Sequence, residues 1–168
     1  MKQLKTLLLA TALCIGTVSF SNAQGKIAHI NTQDLITAMP EMKTAQKELE
    51  TLSKKFQTDI QAAVTEFQTT LKQYEAEAAT KTEEENAKRG QEIQEKQQRI
   101  QQFQADAQKE LQKKEVDLLQ PITEKAKAAI LKVGRAQGYE YVLDASQGVT
   151  ILADGKNLLD DVKKELGI

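Results

Sequence analysis

The feature that most constrains this chain is a stretch of 80 residues between Pro40 and Pro121 that contains one glycine, Gly90, and no proline. It is rich in Glu, Lys, Gln, Ala and Leu, which favour helix. Its apolar and small residues from Met42 to Ala78 recur in ten steps over 36 residues. That period of 3.6 is the repeat of an amphipathic α-helix. A second set, from Ile93 to Val133, has nearly the same period, so the chain is predicted to be dominated by long helices.

The apolar stripe fades near the middle of this stretch, and residues 80–86 hold the predicted turn. Thr82 and Glu85 have the capping-box spacing, which predicts that the returning helix starts there. The sequence therefore predicts an antiparallel helical hairpin, residues 41–115. At about 1.5 Å per residue, an outgoing helix of roughly forty residues reaches on the order of 60 Å, so the hairpin must protrude.

The expected pairing across the hairpin follows from the position of the turn. A reversal near residue 84 would place Phe67 opposite Phe103, and Phe56 opposite residues 111–114. The stripe is thin, because Lys96 or Gln97 and Lys114 or Glu115 stand where apolar residues would complete it. Aromatic rings along this seam have two open interpretations: internal packing, or a half-exposed lining that contacts other chains.

The two ends of the chain are richer in large apolar residues than its middle. Residues 116–168 contain 19 Val, Ile, Leu, Met, Phe or Tyr in 53 positions, against 13 in 72 for residues 41–112. Short strands are predicted at Lys26–Ile30, Glu140–Asp144 and Val149–Ala153, and a last helix at Leu158–Leu166, capped by Asn157 and ended by Gly167. Residues 24–40 and 116–168 are thus predicted to form a small β-containing body. A body of this size buries little surface alone, which favours self-association.

The first 23 residues have the pattern of a secretory signal. Lys2 and Lys5 precede an apolar run, and the residues up to Ala23 offer a small-x-small cleavage site. Cleavage after Ala23 leaves 21 basic and 24 acidic side chains, a formal charge of −3. The single cysteine, Cys14, lies in this segment; a lipid anchor on it is the alternative, but Leu13 stands where a small residue is wanted.

The composition argues against several classes of function. His29 is the single histidine and the mature chain has no cysteine, so a transition-metal site or thiol nucleophile is not expected. No phosphate-binding glycine loop or nucleophile-elbow motif occurs, and we expect neither an enzyme nor a cofactor. The acidic balance also argues against nucleic-acid binding.

Several motifs together resemble one known family, the periplasmic chaperones called Skp or OmpH. The match covers nearly the whole mature chain and rests on the following segments: Lys26–Ile30 with Asn31, Asp34–Ile36, Pro40-Glu41-x-Lys43-x-Ala45 with Leu49, Gly138-Tyr139-x-Tyr141-Val142-Leu143-Asp144, and Asp160–Leu166. The resemblance implies an α+β, mostly α fold. It also implies a homotrimer whose strands build a small body and whose helical hairpins hang from it like tentacles. The function it implies is ATP-independent holding of unfolded outer-membrane proteins in the cavity between the arms.

One property departs from the best-known relatives, which are basic. Here residues 75–85 contain five glutamates against Lys81, which argues against lipopolysaccharide binding and strongly electrostatic capture. The alternative function is a structural or adaptor coiled coil of the cell envelope without chaperone activity. Under the chaperone hypothesis the client-contact candidates are Phe56, Phe67, Tyr74, Phe103, Lys88 and Arg89, and the oligomerisation candidates are Ile27, Ile30, Tyr141, Leu143 and Ile151.

Overall fold

A computed structural model describes residues 25–148, 150 and 152–168. The elements run in the order β1 (Ile27–Ile30), α1 (Thr32–Ala38), α2 (Pro40–Glu77), a 3-10 turn (Ala78–Thr80), α3 (Glu83–Ala136), β2 (Tyr141–Asp144), β3 (Lys156–Asn157) and α4 (Leu159–Leu166). The predicted signal, residues 1–23, and Ile151 lie outside the described residues. We call residues 41–115 the arm and the rest of the described chain the body.

Two long helices dominate the molecule, as the sequence predicts. Helix α2 has 38 residues and begins at Pro40, while α3 has 54 residues and contains Pro121 in its interior. Proline is well tolerated in the first turn of α2, because a backbone N–H at that position would have no acceptor within the helix. The helices pack antiparallel along the arm, so the mostly helical fold with a small sheet is confirmed.

The turn at the tip is closed by local hydrogen bonds. Thr82 Oγ1 accepts from the Glu85 backbone N–H at 3.2 Å, and a Glu85 carboxylate oxygen accepts from the Thr82 N–H at 3.0 Å. The predicted capping box is therefore confirmed. The Asn86 side-chain amide donates to the Ala78 carbonyl at 2.9 Å, which ties the start of α3 to the 3-10 turn.

The pairing expected across the arm is wrong. Phe56, not Phe67, meets Phe103, with ring centroids 6.1 Å apart and planes at 77°. Because α2 ends at Glu77 and the turn closes within residues 78–82, the chain reverses earlier than expected. The partner of each α2 residue therefore lies nearer the tip than the sequence predicted.

The sheet has the order β2-β1-β3, with both pairings parallel. The first two predicted strands form, each one residue shorter at its start. The third is misplaced: of residues 149–153, those that the structure describes are not in a strand, and Lys156–Asn157 pairs with β1 instead. Gly155, just before this pairing, favours the close approach to β1, since a Cβ at this position would lie 3.1 Å from the Ile27 carbonyl oxygen.

One face of the sheet carries the hydrophobic core. Ala28 and Ile30 point into it, and the helices and the residues that cap them contribute the remaining buried side chains: Leu35, Met39, Ala45, Ile122, Ala126, Ala129, Val133, Leu158 and Val162. The last helix starts one residue later than predicted, and the Asn157 side chain accepts from the Leu159 N–H at 2.9 Å. Gly167, with φ 74°, ends it in the left-handed conformation expected of a helix C-cap.

Candidate functional site

Phe56 lies in the seam between the two arm helices. Its side chain is 9% exposed and meets the Phe103 ring edge to face. Such aromatic pairs stabilise packing beyond the area they bury. For Phe56 the structure thus favours internal packing, and the ring is not available as a contact surface.

Phe67 is placed differently, on the border of a small cleft. The cleft holds about 200 Å³, and its lining includes Ala63 and Ile100 beside Phe67 on the apolar side and Lys96 and Arg99 on the polar side. Phe67 is half-buried. Phe103, which follows Ile100 by about one turn of α3, is also half-buried. Tyr74 is half-buried as well, so of the four candidate aromatic residues only Phe56 is buried.

Tyr74 and Arg89 form a polar cluster near the tip. The Tyr74 hydroxyl donates to Glu92 Oε2 at 2.7 Å, and the Arg89 guanidinium pairs with Glu77 at 2.6 Å. The same guanidinium lies over the Tyr74 ring, 4.5 Å from its centroid, in cation–π geometry. The sequence suggested these two residues as client contacts, but both are engaged within the arm.

Hydrogen bonds within this cluster shift the pKa values of Tyr74 and Glu77 in opposite directions. The hydrogen bond to Glu92 raises the pKa of Tyr74 above its ordinary value. Hydrogen bonds from Gln73 and then Arg89 hold the pKa of Glu77 below its ordinary value. Near neutral pH the tip is therefore fixed by an ion pair and a neutral phenol.

Lys88 is the candidate cation that remains on the surface. It is exposed and pairs with Glu84 one helical turn earlier, at 2.8 Å. Exposed pairs of this spacing contribute little to stability and exchange readily with other partners. Lys88 can therefore contact another chain at small cost.

Three ion pairs cross the arm and its base, joining Glu66 to Lys96 at 2.7 Å, Glu48 to Lys114 at 3.1 Å, and Glu41 to Lys125. Hydrogen bonds from the lysines lower the pKa of Glu66 and of Glu41. These pairs were not predicted from the sequence. The signal was present, because Lys96 and Lys114 interrupt the apolar stripe at positions that face the other helix.

The second face of the sheet is open. Ile27 is 51% exposed, Tyr141 61% and Leu143 44%, and the register sets Ile27 beside Tyr141. Parallel strands are usually covered on both faces, so this surface is incomplete in a single copy. Ile30 does not belong to this face: it is 1% exposed and lies in the hydrophobic core of the body.

The two edges of the sheet differ in charge. Strand β2 is preceded by Glu140 and ends at Asp144, whereas β3 begins at Lys156. Burial opposes ionisation of Asp144, but hydrogen bonds from Thr32 and Ser146 hold its pKa below the ordinary value. Neither outer edge is paired within the described residues. Lys156 itself pairs with Asp161 of the same chain at 3.3 Å.

An apolar cleft of about 540 Å³ lies between the sheet and helices α1 and α3. Ile36, Ile130, Leu131 and Val142 are among its lining residues, which include no histidine or cysteine. Within the described part of the chain, no group of three or more His, Cys, Asp or Glu side chains could hold a metal ion. No helix of that part is long and apolar enough to cross a membrane.

The chain is similar in sequence to one protein family and in fold to a solved structure. The family model for outer membrane protein (OmpH-like) matches residues 26–166. Among solved structures, a candidate outer membrane chaperone (OmpH-like) from Caulobacter crescentus CB15 is similar, with a TM-score of 0.76 and 19% identity. The match covers 86% of this chain and 85% of that one, and it concerns the fold alone. None of the curated proteins compared with the chain matches it in sequence.

Proposed function

The chain belongs to the outer membrane protein (OmpH-like) family, and from this premise we propose that it is an ATP-independent holdase chaperone of the periplasm. Its clients would be unfolded outer-membrane proteins, held between the arms of a homotrimer. The similar fold of the Caulobacter protein, itself described as a candidate outer membrane chaperone, supports this function. The signal predicted in residues 1–23 supports export.

The observation that carries the proposal is a long arm whose seam is too thin to cover its own aromatic rings. Between Phe56 and Ala107, the buried residues nearest the middle of the arm, no other side chain of the described arm is buried. Phe67 and Phe103 therefore keep apolar surface along a helix pair that protrudes from the body. Such surface gives weak contacts that a client strand can make and break, and several arms add avidity.

Assembly would use the open face and the unlike edges of the sheet. Covering Ile27, Tyr141 and Leu143 with a second copy removes apolar area from water, which is favourable at roughly 25 cal/mol per Å². Contact between the free edge of β2 in one copy and the free edge of β3 in the next is heterologous, and such contacts form a ring when the rotation between copies closes. A ring of three copies is the assembly that we propose.

The proposed client surface is narrower than the sequence suggested. Phe67, Phe103 and Lys88 remain, since Phe56, Tyr74 and Arg89 are occupied within the arm. The arm has 13 basic and 15 acidic side chains, so its net charge is small, and about half of its cations form ion pairs. We therefore expect capture to rest on apolar contacts and to change little with salt, because screening acts on unpaired charge.

The test is aggregation of an unfolded outer-membrane β-barrel protein, diluted from denaturant without nucleotide and followed by light scattering. The mature protein should suppress scattering, and Phe67→Ser should weaken that suppression several-fold. Val64→Ser is the matched control, because Val64 is also half-buried on the same helix but does not line the cleft of Phe67. Full scattering with the unmodified protein would contradict the function and leave the adaptor hypothesis.

A further inference from the structure

The small cleft beside Phe67 lies across the seam of the arm. Ala63, Glu66 and Phe67 line it from α2, and Lys96, Arg99 and Ile100 line it from α3. Ala63 carries only a methyl group, so the arm itself does not fill the space beside the Phe67 ring. The cleft is therefore an opening in the seam that a side chain of another molecule can enter.

The size and the apolar wall of the cleft suit one aromatic side chain. The cleft holds about 200 Å³, and a cavity of about 150 Å³ is enough for a benzene-sized ring. The wall includes the half-buried ring of Phe67. A ring that enters beside Phe67 gains an aromatic contact in addition to the apolar area that it buries. An aliphatic side chain gains only the buried area.

The charges at the rim of the cleft are complementary to an aromatic ring. Lys96 is held by Glu66, with 2.7 Å between the ammonium and the carboxylate. Arg99 is held less firmly, since its side chain is 76% exposed and its pair with Glu95 on the same helix is long, at 3.8 Å. Two cations against Glu66 give the lining a net positive charge. The face of an aromatic ring is electronegative and attracts such cations.

We propose that this cleft binds one aromatic side chain of an extended client in preference to an aliphatic side chain. The inference rests on the holdase function proposed above and names the chemical class of client segment that this part of the arm recognises. The ring would contact Phe67 inside the cleft, and the Arg99 guanidinium would cover its outer face. Neither contact requires a charge on the client, which agrees with the weak salt dependence expected above.

The proposed clients carry side chains of this class. The spanning strands of outer-membrane β-barrel proteins alternate apolar and polar residues, and aromatic residues form a girdle at each membrane interface. An unfolded client therefore presents aromatic side chains that are flanked by polar ones. A cleft that accepts one ring at a time fits such a segment.

The experiment compares two short, uncharged, fluorescently labelled peptides in which apolar and polar residues alternate. The peptides are identical except that the central apolar residue is Phe in one and Leu in the other. Their binding to the mature protein is followed by fluorescence anisotropy. The Phe peptide should bind about fivefold more tightly than the Leu peptide.

A matched pair of variants tests whether the cleft is the site of this preference. Ala63→Leu fills the cleft from within the arm and should bring the two affinities within about twofold of each other. Ala62→Leu is the control, because Ala62 is exposed on the same helix and does not line the cleft. This control should keep the preference of about fivefold. Leucine is nearly as favourable in a helix as alanine, so both variants should retain the helical content of the unmodified protein in circular dichroism.

Arg99→Gln tests the rim without changing a buried residue. It should reduce the preference for the Phe peptide about twofold and leave the affinity for the Leu peptide unchanged. Equal affinities of the unmodified protein for the two peptides would overturn the inference, as would a full preference in Ala63→Leu. Suppression of light scattering without any peptide preference would refute the aromatic cleft alone. Full scattering would refute the holdase function, and the inference with it.

Discussion

At the scale of single residues, the arm tip depends on Arg89. Its guanidinium pairs with Glu77 and covers the Tyr74 ring, so Arg89→Ala removes contacts between the two helices. We expect amide hydrogen exchange of residues 74–92 to accelerate about tenfold, because local opening becomes easier. Lys88→Ala is the matched control, since its pair with Glu84 lies within one exposed helix face. Equal acceleration in both variants would show that the cluster does not hold the tip.

The tip also shows which residue roles a sequence can predict. The capping box of Thr82 and Glu85 was predictable because both partners lie within four residues and share one local geometry. The contact of Phe56 with Phe103 was not, because the pairing of distant residues depends on the length of the turn between them. The earlier turn replaced the partners expected for Phe56 with Phe103.

At the scale of the elements, the arm should loosen in acid. Ion pairs hold the pKa values of Glu41 and Glu66 below their ordinary 4.5, as hydrogen bonds do for Glu77. Carboxylates with lowered pKa values stabilise the folded arm above the ordinary pKa, and that contribution is lost as pH falls through the lowered values. Helical content followed by circular dichroism should stay constant from pH 7 to about pH 5 and decrease below about pH 4.5.

The Glu66→Gln variant provides the control for that titration. This variant removes the charge that pairs with Lys96. Its arm should therefore be less stable than the unmodified arm at neutral pH, and its helical content should decrease less on acidification. An unmodified arm whose helical content is unchanged down to about pH 3 would show that these pairs contribute nothing measurable.

The elements differ in how well the sequence predicts them. The helices were predictable because a 3.6-residue period extends over ten turns of α2. The body strands have two to four residues, too few for a period to show. The position of β3 depends on the close approach of Gly155 to Ile27, a tertiary contact without a local signal.

At the scale of the whole molecule, the open sheet face should govern assembly. Leu143 is 44% exposed in the single copy, so Leu143→Asp should leave the subunit folded but place a charge in the proposed interface. Burying an unpaired carboxylate costs several kcal/mol, and sedimentation should show monomers. Ile168→Asp is the control, because Ile168 is similarly exposed, at 41%, but is the last residue of the chain. Monomers from both variants, or from neither, would contradict the proposed face.

The central claim joins assembly and holding, and the solution mass of the mature protein tests both. Measured alone by sedimentation or native mass spectrometry, the protein should have three times the chain mass and a hydrodynamic radius larger than that of a sphere of equal mass. With an unfolded outer-membrane β-barrel protein added, and without nucleotide, a complex of three chains and one client should appear. A compact monomer, or a trimer that leaves the client to aggregate, would contradict the account.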